Sequence, residues 1–404
     1  MKVLLLHNRY RQPGGEDAVV RSESGLLRSH GVDVREAWFD NDSTGDGRSG
    51  GTFRMALNSA WSRSSHRQVG DMCREFRPDV VHVHNFWMRL SPSVHAASHE
   101  AGVPTVQTLH NFRLLCGNAL LYRDGAPCED CIGKAPWRAV ARRCYRDSAT
   151  ASAAVAAMTI VNRSRGTWVR EVNAFIALSE HSRDRFTAGG LPGDRIFVKP
   201  NFVPDPGSSI AASSSKNVLY AGRLAPEKGV QTLISGWAKG NLGRYGRLII
   251  AGTGPEGPCL QRSVASLGIA GSVDFIGHRP PAEIVSLIRD CRAVAVPSLC
   301  YENFPRIVVE AFAQGRPAVV SDSGALREIV GDGNGVRFAA GDPFGLAMAL
   351  GRVLRDDPLT DRLGDAARAE YLRKYTPERN FEQLLRIYNF ACRGSLQDRV
   401  AAAQ

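Results

Sequence analysis

The alternation of apolar and polar positions divides the chain into a regular series. Short apolar runs at Val3–Leu6, Val32–Phe39, Pro78–Asn85 and Pro104–Leu109 read as buried strands. So do Phe175–Leu178 and Ile196–Lys199. Between several of them lie stretches with helical spacing, such as the one that opens at Glu16-Asp17 and runs to about His30. Acidic residues in a first helical turn suit the helix dipole. In the second half the rhythm is clearer. Strands at Asn217–Ala221, Arg247–Ala251, Ser272–Ile276, Ala293–Val296 and Ala318–Val320 are each followed by a loop and a helix. Strand, Gly-rich loop and helix repeated in this way predict a parallel, doubly wound α/β sheet. The polar segment Asn41–Gly51 reads as a loop, and Pro204–Lys216 as an interdomain linker. Phe381, Leu384, Leu385, Ile387, Tyr388 and Phe390 give the tail an amphipathic helix, Arg379–Cys392, with residues 394–404 expected to fray.

The expected organisation is an N-terminal domain at 1–203, a linker at 204–216, a second domain at 217–375 and a C-terminal helix at 376–395. Two domains of ordinary size suit 404 residues. Composition changes the picture in three ways. The net charge of +11 points to an anionic partner: nucleic acid, anionic lipid or a phosphorylated substrate. No run approaches the ~20 apolar residues of a membrane span, and no targeting segment is visible. Nine cysteines, an odd number in a long chain, argue for free thiols in a reducing cytoplasm.

The stretch from Pro297 to Ala311 concentrates the candidate chemistry. Strand Ala293–Val296 leads into a loop containing Glu302, Asn303 and Phe304, and Pro305 then suits the first position of a helix running to Gln314. Unpaired amides at a helix start favour an anion. Glu302 in the loop and Glu310 in the second helical turn flank that position. Amides for a phosphate and carboxylates for hydroxyls are what a sugar nucleotide needs. The loop Gly222-Arg223-Leu224-Ala225-Pro226-Glu227-Lys228-Gly229 adds two cations. Gly252-Thr253-Gly254 and Gly277-His278-Arg279 follow the next two strands, so all these loops belong to one end of the sheet. In the first half, Gly14-Gly15 lies in a strand-to-helix loop, and His110 stands at the carboxyl end of the fourth strand. His82 and His84 alternate with valines and share one strand face, as a metal pair or as satisfied strand-end histidines.

Two features stand apart. Cys116, Cys128, Cys131 and Cys144 form C-x₁₁-C-x₂-C-x₁₂-C, with Asp124-Gly125-Ala126-Pro127 as a turn between them. A C-x₂-C knuckle flanked by two thiols has the ligand spacing of a structural zinc site. Lys134–Arg170 carries eight Lys/Arg and one acid, Asp147, with Trp137, Ile160, Val161 and Trp168 interleaved. Such a stretch suits an anionic membrane surface, an anionic acceptor or plain solvent.

The pattern E-x₇-E ending in E-A-F-A-x-G-x-P, with E-N-F-P at its start and G-R-L-x-x-E-K-G upstream, resembles the family 4 retaining glycosyltransferases. The resemblance runs through nearly the whole chain, more loosely in the first half, with the four-cysteine insertion as the mark of a subset. It implies the GT-B fold: two Rossmann-like doubly wound domains facing a cleft, with a nucleoside-diphosphate sugar (UDP or GDP type) on the second and a glycan or lipid-linked acceptor on the first. It implies a hexosyltransferase of cell-surface polysaccharide synthesis, cytoplasmic or peripheral at the inner face of the membrane, with no cofactor for catalysis and no nucleic acid partner. By the same resemblance Arg223 and Lys228 clamp the diphosphate, Glu302 holds sugar hydroxyls, Glu310 the ribose, and His110 lies beside the donor sugar. Gly14, Gly15, Gly222, Gly252, Gly254, His278, Arg279, Asn303, Phe304 and Pro305 complete the expected donor site. A sugar-nucleotide epimerase of the same fold, a basic nucleic-acid-binding protein and a degenerate transferase are the rival readings.

Overall fold

The computed structural model describes residues 1–9, 14–40, 58–207 and 209–402, with side chains to residue 394. The segment Asn41–Gly51, expected as a loop, lies outside the described residues. The chain forms two units. One holds Met1–Leu121, Glu129–Pro200 and Asn380–Gln404, and the other Tyr122–Cys128 and Asn201–Arg379.

The first unit is built on six parallel strands: β1 (Lys2–Arg9), β2 (Asp33–Asp40), β3 (Val80–Asn85), β4 (Thr105–Leu109), β7 (Ala174–Ala177) and β8 (Ile196–Val198), in the order β2-β1-β3-β4-β7-β8. The strand order reverses at β1 and β3. β3 and β4 are buried at every position. Both faces of a parallel sheet are covered by helices, so its strands read as continuous apolar runs rather than alternating ones. Two helices between β2 and β4, Arg63–Phe76 and Ser93–Glu100, were not foreseen. The first is capped by Ser62, whose side chain accepts from the Ser65 amide. The C-terminal helix spans Pro377–Ala402, longer than the Arg379–Cys392 that the pattern predicted. Leu384, Ile387, Tyr388 and Ala391 give it a buried face. Trp168 is also buried, stacked near Phe86 and His95, so it is a core residue and not part of a basic surface.

The second unit contains β9 (Asn217–Ala221), β10 (Arg247–Ala251), β11 (Val273–Gly277), β12 (Ala293–Val296), β13 (Ala318–Ser321) and β14 (Gly335–Phe338), all parallel, in the order β11-β10-β9-β12-β13-β14. The two faces of this sheet bury separate clusters. Val218, Tyr220, Leu248, Ile250, Ala293 and Ala295 face one side, while Leu219, Val294, Val296 and Val320 face the other. That alternation follows from the two-residue side-chain period of a strand. Each fully buried aliphatic side chain contributes roughly 1.5–3 kcal/mol. Trp237 is completely buried in the first cluster, and its indole N–H donates to Ser272 Oγ at 3.1 Å. The short hairpin of β5 (Tyr122–Arg123) and β6 (Ala126–Pro127), within the cysteine-bearing insertion, also belongs to this unit.

Candidate active site

In the second sheet the strand order reverses between β9 and β12, and the carboxyl ends of these neighbouring parallel strands carry the two richest motifs. Such a reversal leaves a crevice between adjacent loops, which is where open α/β sheets bind ligands. The loop after β9 is tied in place from several directions. Tyr220 donates its hydroxyl to the Arg223 carbonyl at 2.8 Å, and the Leu224 amide donates to the Thr253 carbonyl at 2.9 Å. The Glu227 carbonyl accepts from the amides of Leu299, at 2.9 Å, and Cys300, at 3.4 Å. Thus the loops after β9, β10 and β12 hold one another by backbone contacts.

Glycine is required here for close approach. A Cβ on Gly252 would sit 1.8 Å from the Gly222 carbonyl oxygen, and one on Gly254 would sit 2.2 Å from that of Leu224. The role the structure gives these two glycines is packing of loop on loop. Gly14, by contrast, precedes the helix Gly15–Ser29 with open space where a Cβ would lie.

The charged groups expected from the sequence do come together on these loops. Lys228 Nζ donates to Glu302 Oε1 at 2.7 Å, and Ser298 Oγ donates to the same oxygen at 2.5 Å. Arg223 pairs with Glu227 within the same loop. Burial alone would raise the Glu302 carboxyl; the Lys228 ammonium and the Ser298 hydroxyl outweigh it and hold the group ionised, below its ordinary range. Lys228, which burial would push down, is instead held up by Glu302 and its neighbours. The result is a charged, hydrogen-bonded pair with Arg223 more than half exposed beside it. Two residues that sequence reasoning passed over complete it: Ser298 and Glu227. Both stand inside the quoted motifs, as does Arg306, the partner of Glu310, but nothing in their spacing marks them as partners of Glu302 and Arg223.

The helix after β12 runs from Arg306 to Ala313. Pro305 is the residue before it, in an extended conformation, rather than its first residue. Glu310 pairs with Arg306 one turn back at 3.1 Å. Burial raises its pKa, and Arg306 offsets part of that rise. Asn303 is buried and Phe304 packs against the second core cluster. His278 and Arg279 follow β11, the outermost strand, two positions away from β9. His278 is exposed and Arg279 lies 3.6 Å from Glu283.

In the first unit His110 stands after β4, as expected, within a buried histidine group. His84 Nδ1 lies 3.0 Å from His110 Nε2, and Glu23 Oε1 lies 3.2 Å from His82 Nδ1 and 3.3 Å from His84 Nε2. His82 also meets Tyr388 Oη at 2.8 Å and Thr108 Oγ1 at 2.7 Å. Among the described residues Glu23, His82 and His84 are the one set of three whose ligand atoms lie within 4.8 Å of one another. Lys199 Nζ, however, donates to Glu23 Oε2 at 2.9 Å and to Asn380 Oδ1 at 3.1 Å. An ammonium already on the carboxylate opposes a divalent cation.

The cysteine expectation fares differently. Cys116, Cys131 and Cys144 are half-buried, belong to the first unit and form no disulfide, and among the described residues they make no set of three with ligand atoms within 4.8 Å of one another. Cys128 follows the hairpin that belongs to the second unit. A tetrahedral zinc with bonds of about 2.3 Å needs its sulfurs about 3.8 Å apart. The structure thus leaves these thiols unassembled, and the Cys116 thiol donates to Asn118 Oδ1 at 3.0 Å.

Comparison with known proteins agrees with the geometry. A Glycosyl transferase 4-like domain model matches residues 11–201, and a Glycosyl transferases group 1 model matches residues 206–370. The chain is 28% identical over 396 residues to a glycogen synthase of Mycobacterium tuberculosis, covering 96% of this chain and 87% of that one. It is 31% identical over 245 residues to a phosphatidyl-myo-inositol mannosyltransferase of Mycobacterium leprae, covering 58% and 64%. Among solved structures it superposes on Anabaena HepE in complex with UDP with a TM-score of 0.67 and 20% identity, covering 96% and 99%. The chain is therefore a glycosyltransferase with the GT-B fold, its first half of the 4-like kind and its second half of group 1.

Proposed function

We propose that the chain is a retaining glycosyltransferase that moves a hexose-type sugar from a nucleoside-diphosphate sugar to a glycan or lipid-linked acceptor. The observation that carries this reading is the Lys228–Glu302–Ser298 cluster, with Arg223, where the strand order reverses between β9 and β12. Breaking the bond between the anomeric carbon and the diphosphate puts negative charge on the leaving phosphate. Fixed cations and amides stabilise that charge best when they are already oriented. Lys228 is oriented by Glu302, and Glu302 by Lys228 and Ser298, so little reorganisation accompanies charge development. Glu310, in the second turn of its helix, accepts from the ribose hydroxyls on this reading. UDP and UDP-glucose complexes of the Anabaena neighbour make uracil the first base to try.

The test is acceptor-dependent release of the nucleoside diphosphate, with the anomeric configuration of the product read by proton NMR. Retention supports the reading; donor turnover to an epimer without any acceptor overturns it. For the acceptor, exposed Trp137, Ile160, Val161 and Val169 beside Arg138, Arg165 and Arg170 favour a lipid-linked molecule at an anionic surface. No helix among the described residues is long and apolar enough to cross a membrane, so contact would be peripheral. Binding to anionic vesicles that weakens as salt rises is the expected outcome; absence of binding at low salt counts against it.

A further inference from the structure

The histidine group of the first unit has a directional order. Glu23 is buried, and its carboxyl is held ionised by the Lys199 ammonium at 2.9 Å, which outweighs the opposing effect of burial. An ionised carboxylate only accepts hydrogen bonds. Its Oε1 faces His84 Nε2 at 3.3 Å. Both atoms are buried and neither has a hydrogen bond to any other group; His82 Nδ1, 3.2 Å from the same oxygen, already meets Tyr388 Oη at 2.8 Å, so Glu23 Oε1 and His84 Nε2 are left to each other. The proton of His84 then belongs on Nε2. Burial, reinforced by His82, lowers His84 to about 3, so the ring is neutral and its Nδ1 carries a lone pair. That Nδ1 lies 3.0 Å from His110 Nε2, with the two rings within 20° of coplanar, which suits an in-plane hydrogen bond. His110 must be the donor in that bond. It too is kept neutral, by burial and by the neighbouring histidines.

We propose that Glu23 and His84 are positioning residues that fix His110 in the tautomer with its proton on Nε2, so that Nδ1 presents a lone pair at the carboxyl end of β4. A neutral histidine otherwise divides itself between two tautomers, and the hydrogen bond at one ring nitrogen decides the other. Here the decision is made four residues deep, from Lys199 through Glu23 and His84 to His110. The consequence for catalysis rests on the reading of His110 as a donor-site residue: its free nitrogen accepts from a sugar hydroxyl and cannot donate to one. The tautomer itself does not depend on that reading.

The test is ¹⁵N NMR of the full chain with labelled histidine, with the His110 signals assigned by their loss in His110→Asn. The expected result is a pyridine-type Nδ1 and a pyrrole-type Nε2 for His110. In His84→Phe, where the acceptor is gone, both nitrogens should move to averaged values. A pyrrole-type Nδ1 in the parent chain, or an unchanged pattern in His84→Phe, overturns the proposal. In a transfer assay His84→Phe should lower kcat about tenfold with little change in KM for the donor. His84→Phe with kcat unchanged removes the catalytic consequence. A chain with the expected tautomer and no transfer activity on any donor would sink the transferase reading and leave this assignment standing.

Discussion

Lys228 and Glu302 each carry the other's charge, and neither would be cheap to leave alone. Removing the ammonium leaves a part-buried carboxylate with the Ser298 hydroxyl and the weaker influence of Arg223. Lys228→Ala is expected to cost ~10²–10³ in kcat, the usual consequence of losing one oriented donor at a developing charge. Steady-state kinetics on a sugar-nucleotide donor checks it, and a loss confined to KM would contradict it. A second titratable group offers a test of the first unit. Burial raises Glu16 to about 7, against a lowering hydrogen bond from Asn111 at 3.0 Å. Its folded pKa lies above its unfolded value of 4.5, so the folded state holds the extra proton between the two. Stability is therefore lost as pH rises through that window and stays lost above it. Glu16→Gln should recover at most about 3 kcal/mol near pH 8 and nothing near pH 4. Urea unfolding at both pH values shows this as a shift of midpoint at the higher one alone.

At the scale of elements, the loops after β9 and β10 are packed more closely than side chains allow. In Gly252→Ala the new Cβ would meet the Gly222 carbonyl oxygen at 1.8 Å, on a backbone with φ of +151°. We expect a loss of about 3 kcal/mol of stability. Nucleotide binding should weaken too, because the Arg223 loop is displaced. A variant that melts like the parent would show that these loops are looser than described. How far the sequence reveals such elements depends on how local their cause is. Strands β9, β10 and β12 were legible because burial on both faces writes an apolar run into the sequence. The helix Arg63–Phe76 was not, since its residues are mostly polar and its cap, Ser62, is one serine among several nearby. β14, Gly335–Phe338, was not legible either, because this edge strand is only half-buried at Val336 and Arg337 and so shows no continuous apolar run. The motifs at Arg223–Lys228 and Glu302–Glu310 lie within single loops and could be read directly. The order Lys199–Glu23–His84–His110 could not, because its members are spread over more than 170 residues and meet only when the sheet forms.

For the whole molecule, two parallel sheets and the two matching glycosyl transferase domains define a transferase before its donor is known. In the proposed donor site a nucleoside diphosphate occupies the loops after β9 and β12, with Glu310 holding its ribose. Thermal unfolding of the parent chain and of Glu310→Ala, each with UDP, GDP, ADP and TDP, tests it most directly. A ligand at a hundredfold excess over its Kd stabilises the folded state by about 2.7 kcal/mol, enough to move the transition clearly. One diphosphate should raise the melting temperature of the parent, and do so much less in Glu310→Ala. Equal stabilisation of both chains, or no shift with any of the four, would contradict the placement of the donor site.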